Sequence, residues 1–413
     1  MSPIVRTHKH LDKKRGYSTS HIQLEKKKAT ARNELLHLVF SINKLDKSVN
    51  KIKTYVKMFT EVRIMVGKKI KYYRLKKGLT SEQLAKEVGC TKAAISLYES
   101  EEREPNKEIC KTIANVLGVP WVELVSRSNN KLVFDHISFR KKQKASKKDI
   151  ELLKMEIEEK CADRISLMNI VGLINFKTFK PKKLSYDYSA SENAKIIRSL
   201  LGLPSSGPIY SVTNILEHAG IIVLSFECTD EIDGINGLVN GIPYIFFNSK
   251  NRTIERQRFT IVHETCHLFF NDSEGNKTEK EIEKYINQVA GNVLIPDDDI
   301  YSIFGKTNRN ITIYLRDNVA KQYKIAPSCL LNRLLEAGVI TEMYHKNYFI
   351  YLNRNCGRKA EKTLLDPIKD SEEPTIFTQY VYLALSEELI SASRAAEFLH
   401  VPLYDVMQNM RVE

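Results

Sequence analysis

The strongest chemical signal in this 413-residue chain is the run His263-Glu264-Thr265-Cys266-His267. Its pattern is H-E-x-x-H. On a helix, residues four apart lie on the same face, so the two imidazoles point to one spot. Two imidazoles so spaced bind one Zn2+ at about 2.0–2.1 Å each. Glu264 stands beside that spot. Its carboxylate suits a general base that takes a proton from water and returns it to a leaving amine. A chance match in a chain this long is expected at roughly the few-per-cent level. A surface helix with incidental histidines fits poorly. Phe259, Ile261, Val262, Leu268, Phe269 and Phe270 make the segment apolar nearly all round, and buried histidines need partners.

A catalytic zinc wants a third protein ligand and an open position. The next helical stretch, 279–295, offers it. Glu283, Ile286, Asn287, Ala290 and Leu294 share one face there, which selects Glu283 as ligand. Asn287, one turn on, is expected to hold a ligand histidine from behind. Glu279, one turn earlier on that face, is the alternative ligand, and Glu281 points elsewhere.

The histidine helix needs a packed frame, and segment 187–300 alternates helix and strand around it. Upstream lies a second patterned region, 67–125. A first helix there ends at Gly78. Thr80 caps a second, Ser81 to Val88. Gly89 marks a sharp turn, and Thr91 caps a third helix, Lys92 to Glu99. Leu84, Ala85, Val88 and Ile95 would form the core where the last two cross. This is a helix-turn-helix arrangement whose third helix is sized for the major groove.

Net charge is +14, and residues 1–60 carry fourteen Lys/Arg against four Asp/Glu. Arg140-Lys141-Lys142-Gln143-Lys144 adds a basic cluster beyond the helix-turn-helix. That balance favours a polyanionic partner, most simply duplex DNA. The seven cysteines are dispersed and odd in number, which argues against a disulfide framework and fits a reducing cytoplasm. The N-terminus lacks the apolar core of a secretory signal, and no apolar run is long enough to span a membrane.

The string Leu84-Ala85…Gly89…Ala94-Ile95-Ser96…Tyr98-Glu99, then Pro105 and Ile113-Ala114…Leu117-Gly118-Val119, resembles the Xre, or lambda-repressor-like, helix-turn-helix family. The resemblance implies base contacts from Thr91, Lys92, Ala93, Ser96 and Leu97, and phosphate contacts from Ser81 and Gln83. Leu97 departs from the long polar side chain often found there and would instead meet a thymine methyl. Gly220-Ile221-Ile222-Val223, Ile245-Phe246-Phe247-Asn248, Arg256 to Glu264, and Glu283-x-x-x-Asn287 through Pro296 resemble the ImmA/IrrE family of zinc peptidases. That likeness implies a thermolysin-like core and hydrolysis of a peptide bond in a helix-turn-helix repressor or related regulator. Cys266 and Ile286 depart from the smaller residues usual at those positions.

The expected fold class is α+β: an all-α helix-turn-helix domain, then a mostly helical zincin-like peptidase domain with a small sheet. The expected organisation is a disordered basic tail (1–20), an amphipathic helix (21–60), the helix-turn-helix (61–125), a basic linker and connecting helix (126–186), the peptidase domain (187–345) and a helical extension (346–413). The linker has room for one short strand. The strand ending at Asn248 is expected at the sheet edge beside the site, where an extended substrate would add. Helix–turn–helix shapes also recur at 314–339 and 385–409, without a basic third helix. Leu35, Ile42, Val49 and Val56 alternate with Leu38, Leu45, Ile52 and Phe59 in heptad a and d positions. This suits either a short parallel coiled coil giving a homodimer or a helix folded against its own chain. Another reading of the whole is a transcription regulator whose peptidase half senses or is inactive, or a member of a toxin–antitoxin or mobile-element module.

Overall fold

The computed structural model describes residues 66–125, 132–138, 145–172, 179–271, 277–306, 311–356 and 371–410. The basic tail and the heptads of 35–59 lie outside these residues.

Five helices open the described chain: α1 (Val66–Lys76), α2 (Ser81–Val88), α3 (Lys92–Glu99), α4 (Lys107–Leu117) and α5 (Trp121–Val125). Local capping sets their ends. The Thr80 hydroxyl accepts from the Gln83 N–H, while the Gln83 side chain accepts from the Thr80 N–H, a reciprocal capping box for α2. Thr91 caps α3 through the Ala94 N–H. Ile70, Leu84, Ala85, Ile95, Tyr98, Ile113 and Leu124 close one small core. Val88 reaches it only partly buried. Arg74 of α1 grips Glu99 of α3 with two hydrogen bonds, at 2.5 and 2.8 Å.

A long helix, α6 (Lys147–Val171), serves three neighbours. Lys68, Lys69 and Lys71 of α1 pair with Glu158, Glu159 and Glu151 along it. Leu153, Ile157, Cys161 and Ile165 pack on the sheet. Leu167 joins the core of the C-terminal helices α15 (Ile376–Ser386), α16 (Ala392–Leu399) and α17 (Leu403–Asn409).

The sheet has four strands in the order β1-β3-β4-β2: β1 (Phe134–Ser138), β2 (Ile222–Phe226), β3 (Gly234–Val239) and β4 (Ile242–Asn248). A two-residue turn, Asn240-Gly241, joins β3 to β4, and both residues have positive φ, as a type I′ hairpin needs. β4 runs parallel to β2 and antiparallel to β3. The strand ending at Asn248 is therefore central, not an edge. The hairpin covers one side of it, and β2, reached through α8 (Val212–Ala219), covers the other. β1 comes from the stretch read as a linker and pairs antiparallel with β3.

One sheet face, with Ile222, Leu224, Ile235, Tyr244 and Phe246, packs on α6. The other, with Val223, Ile245 and Phe247, enters the main core. That core is shared by α7 (Ala190–Leu200), α8, α9 (Ile254–Leu268), α10 (Glu279–Leu294), α11 (Asp297–Phe304), α12 (Ile313–Tyr323) and α13 (Pro327–Glu336), with α14 (Glu342–Cys356) against it. Two buried carboxylates tie the C-terminal helices to this body. Glu217 of α8 pairs with Arg164 of α6 at 2.9 Å and accepts from the Thr375 and Ile376 N–H groups at the start of α15. Glu372 pairs with Arg258 of α9, both essentially unexposed. Among the described residues no helix is long and apolar enough to cross a membrane.

Candidate functional site

α9 begins where Thr253 caps the Arg256 N–H and runs through the H-E-x-x-H residues. Ile261, Val262 and Cys266 fix its roll by packing into the main core. That roll turns His263 and His267 towards α10, with Nε2 atoms 3.1 Å apart. α10 starts with a capping box in which Glu281 accepts from the Thr278 N–H and hydroxyl. Those bonds hold the Glu281 carboxyl below the usual carboxylate range. They also keep it away from the histidines. Glu279 is exposed and stands outside the cluster. Glu283 meets the histidines: its Oε2 is 3.4 Å from His263 Nε2, and its Oε1 is 3.9 Å from His267 Nε2.

The donor atoms of His263, His267 and Glu283 lie within 4.8 Å of one another. Ligands at about 2.0–2.1 Å around a tetrahedral zinc stand about 3.3–3.4 Å apart. The closest carboxylate–imidazole spacing, 3.4 Å, and the imidazole–imidazole spacing, 3.1 Å, fit that geometry with little movement. Two imidazoles and one carboxylate also form a donor set that leaves a fourth position open.

Glu264 is buried beside this cluster and is not one of its donors. The Asn236 side chain, on β3, donates to Glu264 Oε2 at 2.5 Å. Gly234 allows this approach: a Cβ there would stand 2.7 Å from Thr260 Cγ2 and 2.8 Å from Glu264 Cγ. Sequence reasoning missed Asn236. Its signal is the Gly-x-Asn of a strand, where glycine often marks a close neighbour.

Asn287 does not take the role expected of it. It is exposed, and among the described residues its side chain bonds neither histidine. Ile286 and Ala290 occupy the buried side of α10 and turn Asn287 outward. Cys266 is fully buried in apolar surroundings, burial pushes its thiol up, and it stands outside the donor cluster.

The second candidate surface is α3. Ile95 and Tyr98 face the core, leaving Thr91, Lys92, Ala93, Ser96 and Leu97 exposed together. Ser81 is half-buried and Gln83 exposed at the start of α2. The Gln83 carbonyl oxygen is occupied by the cap, which directs its amide N–H groups outward as donors. Lys92 reaches Glu82 at 3.7 Å across an exposed gap, a contact too screened to fix it.

Comparison with known proteins agrees with this division. The helix-turn-helix family model matches residues 70–124, and the IrrE N-terminal-like domain model matches residues 216–335. No curated protein matches the chain. Among solved structures, the crystal structure of Bacillus thuringiensis PlcR in complex with the peptide PapR7 and DNA aligns over 84% of this chain and 98% of that one. Its identity is 13% and its TM-score 0.16, too low to bear on fold or function.

Proposed function

We propose that this chain, a helix-turn-helix domain joined to an IrrE N-terminal-like domain, is a DNA-binding regulatory zinc metallopeptidase. Its substrate class is a helix-turn-helix repressor or related regulator, cut at a peptide bond. The observation that carries the reading is the convergence of His263, His267 and Glu283 beside a separately held Glu264. These three side chains would hold the metal. A bound Zn2+ supplies a Lewis acid that makes water nucleophilic near neutral pH and polarises a carbonyl. Glu264 takes the proton of the attacking water and delivers it to the leaving amine. The Asn236 amide donates to one carboxylate oxygen and so holds the group in place for that transfer. Burial beside β3 strengthens the interaction by excluding competing water. The exposed face of α3 would read bases in duplex DNA, with Ser81 and Gln83 on phosphates.

The test is metal analysis of the purified full chain with co-purified regulators identified by mass spectrometry. About one zinc per chain is expected. His263→Ala or His267→Ala should lose it. Glu264→Gln should keep it while cleavage falls by about 10^2–10^4-fold. Glu283→Gln should weaken metal binding more than Glu279→Gln. Full metal retention in the double His263→Ala/His267→Ala variant would remove the site.

A further inference from the structure

We infer that β1 occupies the strand position an extended polypeptide substrate takes beside β3, so that the chain's own connection between its two domains covers the site. This rests on the peptidase reading above and adds how the site is regulated.

The geometry is a chain of neighbours. Glu264 lies against β3, touching Asn236 and facing Gly234. One edge of β3 is already paired with β4. A new strand can therefore reach the site only along the other edge, about 4.7–4.9 Å from β3. β1 takes that edge, antiparallel, with Ser138 opposite Asn236. Asn236 thus pairs with β1 along its backbone and with the general base through its side chain.

The two ends of β1 are held differently. At the end remote from Glu264, the Val133 N–H donates to the Asn240 side chain at 2.9 Å, and the Asn240 N–H donates to the Val133 carbonyl at 2.8 Å. The Phe134 ring meets the Tyr244 ring edge-on at 6.0 Å. Towards Glu264 the register slips between Asp135 and Ser138. Such an irregularity ends regular pairing and re-aims the chain. A strand anchored at one end and out of register at the other blocks an incoming polypeptide without presenting a well-placed peptide bond. Its source fits this role. In chain order β1 lies between α5 of the helix-turn-helix and α6, the helix on which that domain is seated through Lys71 and Glu151.

The test uses the full chain in EDTA, with a fluorescent peptide of residues 132–138 as probe of the β3 edge. Phe134→Asp removes the ring anchor and should bind the probe about tenfold more tightly than the unaltered protein. Phe134→Cys/Val239→Cys joins directly opposed positions. Oxidised, it should bind the probe at least about tenfold more weakly than the unaltered protein, and reduction should restore binding. Should Phe134→Asp fail to fold, the oxidised and reduced lock still decide. Equal probe binding by the unaltered protein and the oxidised lock would overturn the assignment. Binding in EDTA needs neither metal nor hydrolysis, so it fails independently of the peptidase reading. With zinc restored, casein cleavage should rise in Phe134→Asp and fall in the oxidised lock. Probe binding as expected with casein uncut by every form would leave β1 as the covering strand and remove the peptidase reading.

Discussion

Replacing Glu372 by Gln tests how the C-terminal segment is fastened to the helix that carries the histidines. Arg258 sits on α9 five residues before His263 and has no solvent exposure. Its Nη1 donates to Glu372 Oε1, and its Nη2 donates to the Ile209 carbonyl at 2.8 Å. Glu372 Oε2 accepts from the Thr213 N–H at 3.0 Å, the Thr213 hydroxyl at 3.0 Å and the Ser211 hydroxyl at 3.1 Å. The carboxylate thus also sits at the N-terminus of α8, a setting worth about 0.3–1 kcal/mol to a negative charge. Removing one partner of a buried pair costs about 3–5 kcal/mol, because the other charge stays buried without compensation. Glutamine keeps the shape and an acceptor oxygen, which places the expected cost near the lower figure, about 3 kcal/mol. A loss of that size speeds local opening by about 100-fold. Hydrogen exchange of amides in α8, the first half of α9 and the start of α15 reads it directly. Arg258→Met added to Glu372→Gln removes the stranded guanidinium and should recover more than half of the loss. Exchange in α8 within about threefold of the unaltered protein, under about 0.7 kcal/mol, would refute this reasoning.

Gly234→Ala forces a methyl group against Thr260 and Glu264. Cleavage should fall by at least about tenfold with zinc content unchanged, since 1.4 kcal/mol of misplacement suffices for that; unchanged cleavage would mean that the approach of β3 does not position the base. Lys92→Ala and Ser96→Ala should weaken sequence preference more than non-specific affinity, measured by selection from random duplexes and by anisotropy. Affinity itself should fall with salt at a log–log slope of about −0.9 per phosphate contact. His400 bonds Asp163 of α6 at 3.2 Å, and that bond raises its pKa. A raised histidine contributes fully below its unfolded value of about 6.5 and loses its contribution as pH climbs through the folded value. Burial raises Asp163 as well, so its carboxylate is the costly form and the two effects run together. Docking of the C-terminal helices on α6 should therefore weaken as pH rises above about 6.5, seen as faster exchange in α16. His400→Asn should flatten that dependence, and an equal slope in the variant would exclude this pair as its source.

What was legible in the sequence was local. Thr80 and Thr91 cap where their hydroxyls reach an N–H three residues on, a distance any helix start fixes. The two histidines needed only helical periodicity. Glu281 was separable from Glu283 because it points off the face that carries Ile286, Ala290 and Leu294, whereas Glu279 shares that face and stayed the alternative until the structure placed it outside the cluster. The parts missed depend on pairings far apart in the chain. Phe134 of β1 finds Val239 more than a hundred residues later, and nothing near residue 134 encodes that choice. Asn236 finds Glu264 across a strand–helix contact, visible beforehand only through Gly234. The Asn240-Gly241 hairpin was written in the sequence, but it pairs only one side of β4; the parallel pairing with β2 that makes β4 central joins Ile222 to Tyr244 and the residues after them with no turn signal of its own. Asn287 misled because it shares a broad helical face with Glu283, while Ile286 and Ala290 fill the buried part of that face.

The seam between α1 and α6 gives a salt titration a second meaning. Lys68, Lys69 and Lys71 are engaged there by glutamates at 3.4, 3.1 and 2.6 Å, all at least partly open to solvent. Ions that displace lysines from phosphate screen these pairs over the same range, since the Debye length falls from about 10 Å at 0.1 M to about 3 Å at 1 M. Rising salt thus releases DNA and slackens the mounting of its reader in one sweep. A phosphate count taken from the slope for the full chain would come out too high. Neutralising the three glutamates of α6 would bring the slope down towards the true number.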